Sequence, residues 1–483
     1  MRFRVVLHYL GLVIVFLGLF MLLPLAFCLF HQESDSLAFL VSIVLCLASG
    51  LLLWRLTPAE VGRIRIREVI AIVALSWIST SALSAMVYIT SGALPNYLDA
   101  FFESVAGFTT TGATVFTSLE LQPHSILLWR SLTQWLGGMG IIMFFVVLFP
   151  MIGAGAAQLV KAETPGQEGG RLTARIRDTF KILLMLYIGL TLGEFIILDL
   201  AGLPFFDALT VSLSTTSTGG FTPTDLSIAA YDSVLVESII IFFMIAAGVN
   251  FSLYYLAIWK RKPGNLFKNS EFKLYIAIIV IATLAINIDL IVNLGLPLGE
   301  ALRESSFQSV SLITTTGFAT ADFNTWPTFA KSVILILMVV GASAGSTGGA
   351  LKVVRFLVLF KYVYRNILRI INPKRIIPLK IDGNVVSDDV IKKVVGFTIL
   401  YFGIIWVGFL AMSAAGLDFD TALSSVTSCL GNVGPGLGLV GPAENYLLIP
   451  VVGKITLIIC MLAGRVEIFT LFVIFMPSFW KWR

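Results

Sequence analysis

The chain has 483 residues, 57% of them hydrophobic and 13% charged, with a formal net charge of +5 and a mean hydropathy of +0.94. So little charge in so long a chain excludes a soluble globule and a disordered polymer, and leaves a polytopic helical membrane protein. Four cysteines (Cys28, Cys46, Cys429, Cys460) lack metal-ligand spacing and three histidines (His8, His31, His124) are scattered. No disulfide framework, zinc site or catalytic constellation follows, so no enzyme is expected.

Taken in chain order, the first apolar runs cover about 5–30 and 37–57. The first is long enough to span and has no small-x-small cleavage site, so it reads as a retained helix rather than a secretory signal. With no loop of special composition between them, the two form an N-terminal hairpin, residues 1–60. Four units follow, at 61–160, 161–265, 266–375 and 376–483, each reading as span, short apolar helix, Gly-centred segment, span. The spans of the first lie near 68–92 and 125–152, of the second near 178–200 and 233–259, of the third near 272–293 and 330–364, and of the fourth near 390–415 and 447–476. Ten spans result.

Lys and Arg gather on one side: Arg2 and Arg4; Arg55, Arg63, Arg65 and Arg67; Lys161, Arg171, Arg175 and Arg177; Lys260, Arg261, Lys262, Lys268 and Lys273; the run from Arg355 to Lys393; Lys481 and Arg483. That asymmetry puts both termini in the cytoplasm. The other side carries Glu33, Asp35, Glu120, Asp199, Asp225, Asp232, Asp322, Asp418 and Glu444. Together such acids attract cations, although each one singly reads as an ordinary solvated loop residue.

The four Gly-centred segments are Thr109-Thr110-Thr111-Gly112-Ala113, Thr216-Ser217-Thr218-Gly219-Gly220, Thr314-Thr315-Thr316-Gly317-Phe318 and Leu430-Gly431-Asn432-Val433-Gly434. They recur about every hundred residues, as diverged copies of one unit do. The apolar pieces before them, such as 98–108 and 422–430, are too short to cross a hydrocarbon core of about 30 Å and must enter and return. Non-helical backbone at that depth has to line water or be covered by protein. Four glycine-containing loops around one axis offer the ring of backbone carbonyls that replaces a cation's hydration shell, so the expected function is an ion pathway. Asp99, Asp207, Glu304 and Asp420 stand at the expected starts of the short helices, where an acid caps free N–H groups and meets the positive end of the dipole.

Below the third segment, Gly341, Gly345, Gly348 and Gly349, with Ser343, Ser346 and Thr347 among them, interrupt an apolar run. Each interior glycine costs about 1 kcal/mol against alanine. The run therefore reads as an unwound loop, the alternative being close helix packing through small residues. Arg465 sits deep in the last apolar run, where an unpartnered charge is expensive. Glu467, two positions on, is on nearly the opposite helix face. Arg465 is expected to project below the ring, bond carbonyls of the 341–349 loop and repel cations; the alternative is an ion pair with Glu467 of another helix or subunit. Lys352 and Lys454 read as chains that reach an interface.

These segments, together with Gln134-Trp135-Leu136-Gly137-Gly138-Met139-Gly140, the stretch Gly341–Gly349 and Gly464-Arg465-Val466-Glu467, resemble the Trk/Ktr/HKT superfamily of potassium transporters, and most closely its bacterial TrkH/TrkG membrane subunits. The resemblance covers essentially the whole chain. It implies a potassium site at the filter glycines Gly112, Gly219, Gly317 and Gly434, with Thr110, Thr111, Ser217, Thr218, Thr315, Thr316, Asn432 and Val433 beside them and the ion at Thr111, Gly112, Thr218, Gly219, Thr316, Gly317, Val433 and Gly434. Members with serine at the first filter position tend to admit sodium, whereas this chain has glycine at all four. The resemblance makes Gly341, Gly345, Ser346, Thr347, Gly348, Gly349 and Arg465 an intramembrane gate. It also implies a homodimer, a bacterial inner-membrane location, and a TrkA-like cytoplasmic subunit that carries the nucleotide.

The chain itself offers no nucleotide site. Gly436-Leu437-Gly438-Leu439-Val440-Gly441 matches a dinucleotide pattern in letters but lacks the preceding strand. The basic surfaces 166–177 and 365–393 suit a docked partner or anionic lipid, and no nucleic acid is expected. The fold expected is all-α: four pseudo-repeats of helix, pore helix, filter loop and helix around one central pore, plus the N-terminal hairpin. Two other readings are an alternating-access secondary transporter, which calls for two inverted repeats and paired broken helices where this sequence shows one broken span, and a KdpA-like potassium-binding subunit of an ATP-driven pump.

Overall fold

Glycine lets the first two apolar runs approach each other. Phe3–Phe20 continues through Leu22–Phe30 and packs along Ser36–Leu56. A Cβ on Gly11 would lie 2.7 Å from the carbonyl oxygen of Gly50, and one on Gly50 would lie 2.8 Å from that of Gly11. Small residues at such a crossing permit the close backbone packing that holds helices together in lipid. The computed structural model describes residues 1–58, 65–147, 172–259, 261, 263–373 and 377–481.

Each of the four units has an outer helix, a short helix and an inner helix. The outer helices are Ile66–Thr90, Leu172–Leu200, Ser270–Leu294 and Asp388–Ala414. The short ones are Tyr97–Phe108, Phe205–Thr216, Leu298–Ile313 and Phe419–Gly431, of 12, 12, 16 and 13 residues. At 1.5 Å per residue they reach about 18–24 Å, short of a bilayer core, so the chain turns back inside it. The inner helices begin as His124–Val147, Val234–Gly248, Thr328–Val340 and Val451–Arg465. One apolar core joins the N-terminal hairpin to units one and four, and a second joins units two and three. Large apolar side chains such as Ile281, Ile288 and Val292 stay exposed on the outer helices, the surface a hydrocarbon solvent requires.

Among the described residues, six helices are long and apolar enough to cross a membrane by length and composition, and up to eight spans result if each of two bent pairs counts as one. His124–Val147, and Thr328–Val340 with Val353–Ile371, complete the ten expected. The second is split by the loop, and its continuation carries Arg355, Lys361, Arg365 and Arg369, so neither piece alone is an apolar span.

Two expectations need correction. Asp99, Asp207 and Asp420 stand in the first turns of their short helices as expected, but the acids do not supply the cap bonds. Asn96 accepts from the Leu98 amide at 2.9 Å and Asp418 from the Thr421 amide at 3.1 Å, a few residues before Asp99 and Asp420. Pro204 and Pro297 precede the other two helices, and Glu304 lies beyond the first turn, where Glu300 stands. The fold is all-α as expected; the one small addition among the described residues is an antiparallel hairpin of two-residue strands, in which Lys380 pairs with Val385 and Ile381 with Asn384. Last, Lys454 does not extend to an interface. It is buried, with Nζ 2.5 Å from Asp99 Oδ1, and ties the last inner helix to the first short one. Of the basic positions, Arg63, Lys161, Arg171, Lys260, Lys262, Lys374, Arg375 and Arg483 lie outside the described residues, as do residues 166–171 of one docking surface and 148–152 of the first inner span.

Candidate ion pathway

The four short helices end in one repeated backbone shape. A left-handed residue comes first: Thr110 (φ 52°), Thr218 (55°), Thr315 (60°) and Asn432 (56°). Two residues later comes a second positive φ, at Gly112 (77°), Gly220 (83°), Gly317 (81°) and Gly434 (111°). Between them, the amides of Thr111, Gly219, Thr316 and Val433 bond the carbonyls of Ala106, Ser214, Ser311 and Ser428 at 2.8, 2.8, 2.9 and 2.9 Å. Alternation of backbone handedness aligns successive peptide groups, gathering N–H on one side and carbonyls on the other. The register corrects one expectation. Gly220, not Gly219, stands with Gly112, Gly317 and Gly434, while Gly219 takes the place of Thr111, Thr316 and Val433. A Gly-Gly doublet hides this in the sequence, because only the backbone angles tell which glycine makes the turn.

The segments close on one another in order. A Cβ on Gly112 would strike the carbonyl oxygen of Gly219, one on Gly220 that of Thr316, and one on Gly317 that of Val433; one on Gly434 would lie 2.6 Å from that of Thr111. Unit one therefore abuts unit two, two abuts three, three abuts four, and four returns to one. Glycine is required twice over, by the left-handed angle and by the neighbouring carbonyl.

Side chains brace this cycle from behind. Hydroxyls of Thr109 and Thr111 lie 2.7 Å apart, and those of Thr314 and Thr316 2.8 Å. Asn432 Nδ2 donates to Thr111 Oγ1 and to the Met461 carbonyl, both at 3.0 Å, and Tyr446 donates to the Gly434 carbonyl at 2.7 Å. The buried Glu103 accepts from the Val115 amide (2.9 Å), Thr114 (3.1 Å) and Arg130 Nε (2.9 Å). Arg130 in turn donates to the Thr222 carbonyl at 3.3 Å, with its guanidinium 4.0 Å from the Phe221 ring centre. None of Glu103, Arg130 and Tyr446 was singled out in the sequence. The available signal was two charges, Glu103 and Arg130, placed inside apolar runs.

Beneath the cycle, the third inner helix stops at Gly341 (φ 73°) and resumes at Val353, after positive φ at Gly345, Ala350 and Lys352. The intervening loop touches three of the four segments. Thr347 Oγ1 donates to the Thr216 carbonyl (3.1 Å), the Gly349 amide to Thr315 Oγ1 (2.8 Å), and a Cβ on Gly349 would lie 3.1 Å from Asn432 Oδ1. Arg465 is buried, with Nη1 2.7 Å from the Thr347 carbonyl and Nη2 3.0 Å from that of Gly137. It thus links the loop to the first inner helix. Its neighbour Glu467 is engaged elsewhere, by Arg355 (2.9 Å) and Lys352 (3.5 Å).

Where the sequence shows one broken span, the described residues hold three. The second inner helix bends by 92° between Gly248 and Phe251, and the fourth by 118° between Arg465 and Ile468. Both breaks meet the loop or its flank. The Ser343 amide bonds the Gly248 carbonyl and the Phe251 amide bonds the Gly345 carbonyl, each at 3.0 Å, while Glu467 holds Lys352 and Arg355. The signals were Asn250, which caps Phe251–Tyr254 through a 2.9 Å bond from the Ser252 amide, and a charge at Glu467 inside an apolar run.

Four re-entrant hairpins of one sense, closed around one axis in an apolar helical chain, define a membrane protein of the pore-forming transport class. Residues 35–482 match the family described as TrkH, cation transport protein. The chain is 37% identical to the Trk system potassium uptake protein TrkH of Salmonella typhimurium, with both chains covered in full. It is 31% identical to the Trk system potassium uptake protein TrkG of Escherichia coli, over 99% of each. The crystal structure of the potassium transporter TrkH from Vibrio parahaemolyticus superposes with a TM-score of 0.91 at 32% identity, covering both chains completely. This chain belongs to the TrkH family of cation transport proteins; it is a transporter, not an enzyme.

Proposed function

We propose that the protein is a potassium uptake permease in which main-chain oxygens of Thr111, Gly112, Gly219, Gly220, Thr316, Gly317, Val433 and Gly434 take over the ion's hydration. The observation that carries this reading is the closed contact of the four segments, each glycine against the next unit's carbonyl. The loop of Gly341, Gly345, Ser346, Thr347, Gly348 and Gly349 is the gate. Bonded to Thr216, Thr315 and Arg465, it closes the inner mouth of the filter. Arg465 adds a fixed positive charge in the ion's way.

The three broken helices remove the count of breaks as an argument against alternating access. The fourfold cycle still opposes it, since two inverted halves do not generate four same-sense hairpins. On this reading the protein acts as a homodimer in a bacterial inner membrane, with both termini cytoplasmic, where the Lys and Arg clusters gather. A TrkA-like subunit brings the nucleotide to its basic cytoplasmic face, which also meets anionic lipid.

Rubidium uptake into proteoliposomes, with potassium or sodium as competitor, tests the proposal. Potassium should inhibit strongly and sodium weakly in the native chain. Gly112→Ser, which forces a side chain onto the Gly219 carbonyl at a positive φ, should bring the two inhibitors close together. Equal inhibition by both in the native protein overturns the reading.

A further inference from the structure

At the second corner of the cycle a ring carbonyl is held by a side chain from another unit. Gln134, fully buried on the first inner helix, donates Nε2 to the Gly219 carbonyl at 2.6 Å and accepts from the Phe221 amide through Oε1 at 3.0 Å. Its amide thus spans the turn at Gly220. One helical turn earlier, Arg130 holds the carbonyl of Thr222, three residues beyond Gly219, so one face of one helix supports the second segment from its turn onward. The sequence makes room for this. Gly219 stands where the other units have Thr111, Thr316 and Val433, and a Cβ there would collide with the Gln134 amide. The side chain missing from the second segment is replaced by one from the neighbouring unit. Among the described residues, two of the eight carbonyls assigned to the ion accept side-chain hydrogen bonds: that of Gly434 from Tyr446 and Ser428 of its own unit, and that of Gly219 from Gln134 of another unit.

Resting on the potassium-filter reading above, we propose that Gln134 is a specificity-determining positioning residue that weakens the second corner of the filter and fixes its radius. A carbonyl already accepting an amide N–H offers less of its lone-pair density to a cation. Weaker ring donors favour the larger, less tightly hydrated ion, and a hairpin pinned on both sides of its turn cannot contract around a smaller one; carbonyl field strength and cavity size are the two accepted sources of potassium over sodium preference. Removing Gln134's hydrogen bonds changes both in the same direction, toward sodium. Gly219 and Gln134 then act as a pair, and neither is free to vary alone.

Gln134→Met keeps the length and volume of the side chain and deletes both hydrogen bonds. Rubidium uptake by folded, monodisperse protein should show sodium inhibiting about three- to tenfold more strongly relative to potassium, the size of one or two lost hydrogen bonds. A merely structural role would lower the maximal rate and leave the ratio of the two inhibition constants in place. Gly219→Ala should disturb that ratio in the native background and much less beside Gln134→Ala, where the added methyl has room. An unchanged ratio in folded Gln134→Met, or equal effects of Gly219→Ala in both backgrounds, overturns the proposal. Gly112→Ser run in parallel separates the two readings. If it shifts the ratio and Gln134→Met does not, the filter stands and the role of Gln134 falls; if neither does, the filter reading falls with it.

Discussion

Arg465→Ala raises rubidium uptake into proteoliposomes by about tenfold or more, because it deletes two charge-assisted hydrogen bonds of about 1.5–3 kcal/mol each and every 1.4 kcal/mol is a factor of ten in population. The bonds removed are those to the Thr347 and Gly137 carbonyls, which join the loop to the first inner helix. The same change lifts a fixed positive charge from the cation's route, so both consequences push flux upward. Arg465→Lys keeps the charge but not the two-pronged geometry, and its flux should fall between alanine and native. Native or reduced flux in well-folded Arg465→Ala would show that the arginine supports the structure without restraining the ion.

Arg130→Met is the most damaging single change to stability behind the filter, with an expected loss of about 3–5 kcal/mol, the cost of leaving one member of a buried ion pair alone. Arg130 and Glu103 are 1% and 0% exposed and 2.9 Å apart, and water cannot replace the lost partner. The Thr222 carbonyl and the Phe221 ring lose their contacts as well, so damage spreads to the second segment. Adding Glu103→Gln removes the stranded charge while keeping an acceptor for the Val115 amide, so the double variant should melt above the single one. Thermal unfolding in detergent reads both. A native melting temperature for Arg130→Met, or a double variant below the single, would contradict the ion-pair account.

The four hairpins were legible because each carries its evidence locally: an apolar piece too short to cross, ending in hydroxyls and glycine in the first three units and in asparagine and glycine in the fourth. The loop at 341–349 and the charge at Arg465 were legible for the same reason. Less legible was anything decided by tertiary placement. The choice of Gly220 over Gly219 turns on backbone angles that two adjacent glycines can exchange freely. Breaks at 249–250 and 466–467 lack the glycine density of the third unit, and depend on the loop that Gly248, Phe251 and Glu467 contact. Lys454 with Asp99, and Gln134 with Gly219, are partners distant in sequence that only the closed ring brings together. The acids at the short helices misled because caps at Asn96 and Asp418 lie a few residues earlier, leaving Asp99 free to meet Lys454.

The most direct measurement is a structure of the protein in rubidium, with the ion located by anomalous scattering. A peak on the axis, within bonding distance of carbonyls from all four segments and above the Thr347–Arg465 contact, is the predicted result. A peak held by one or two segments away from the axis, or placed among the outer acidic loops alone, would contradict a shared main-chain site.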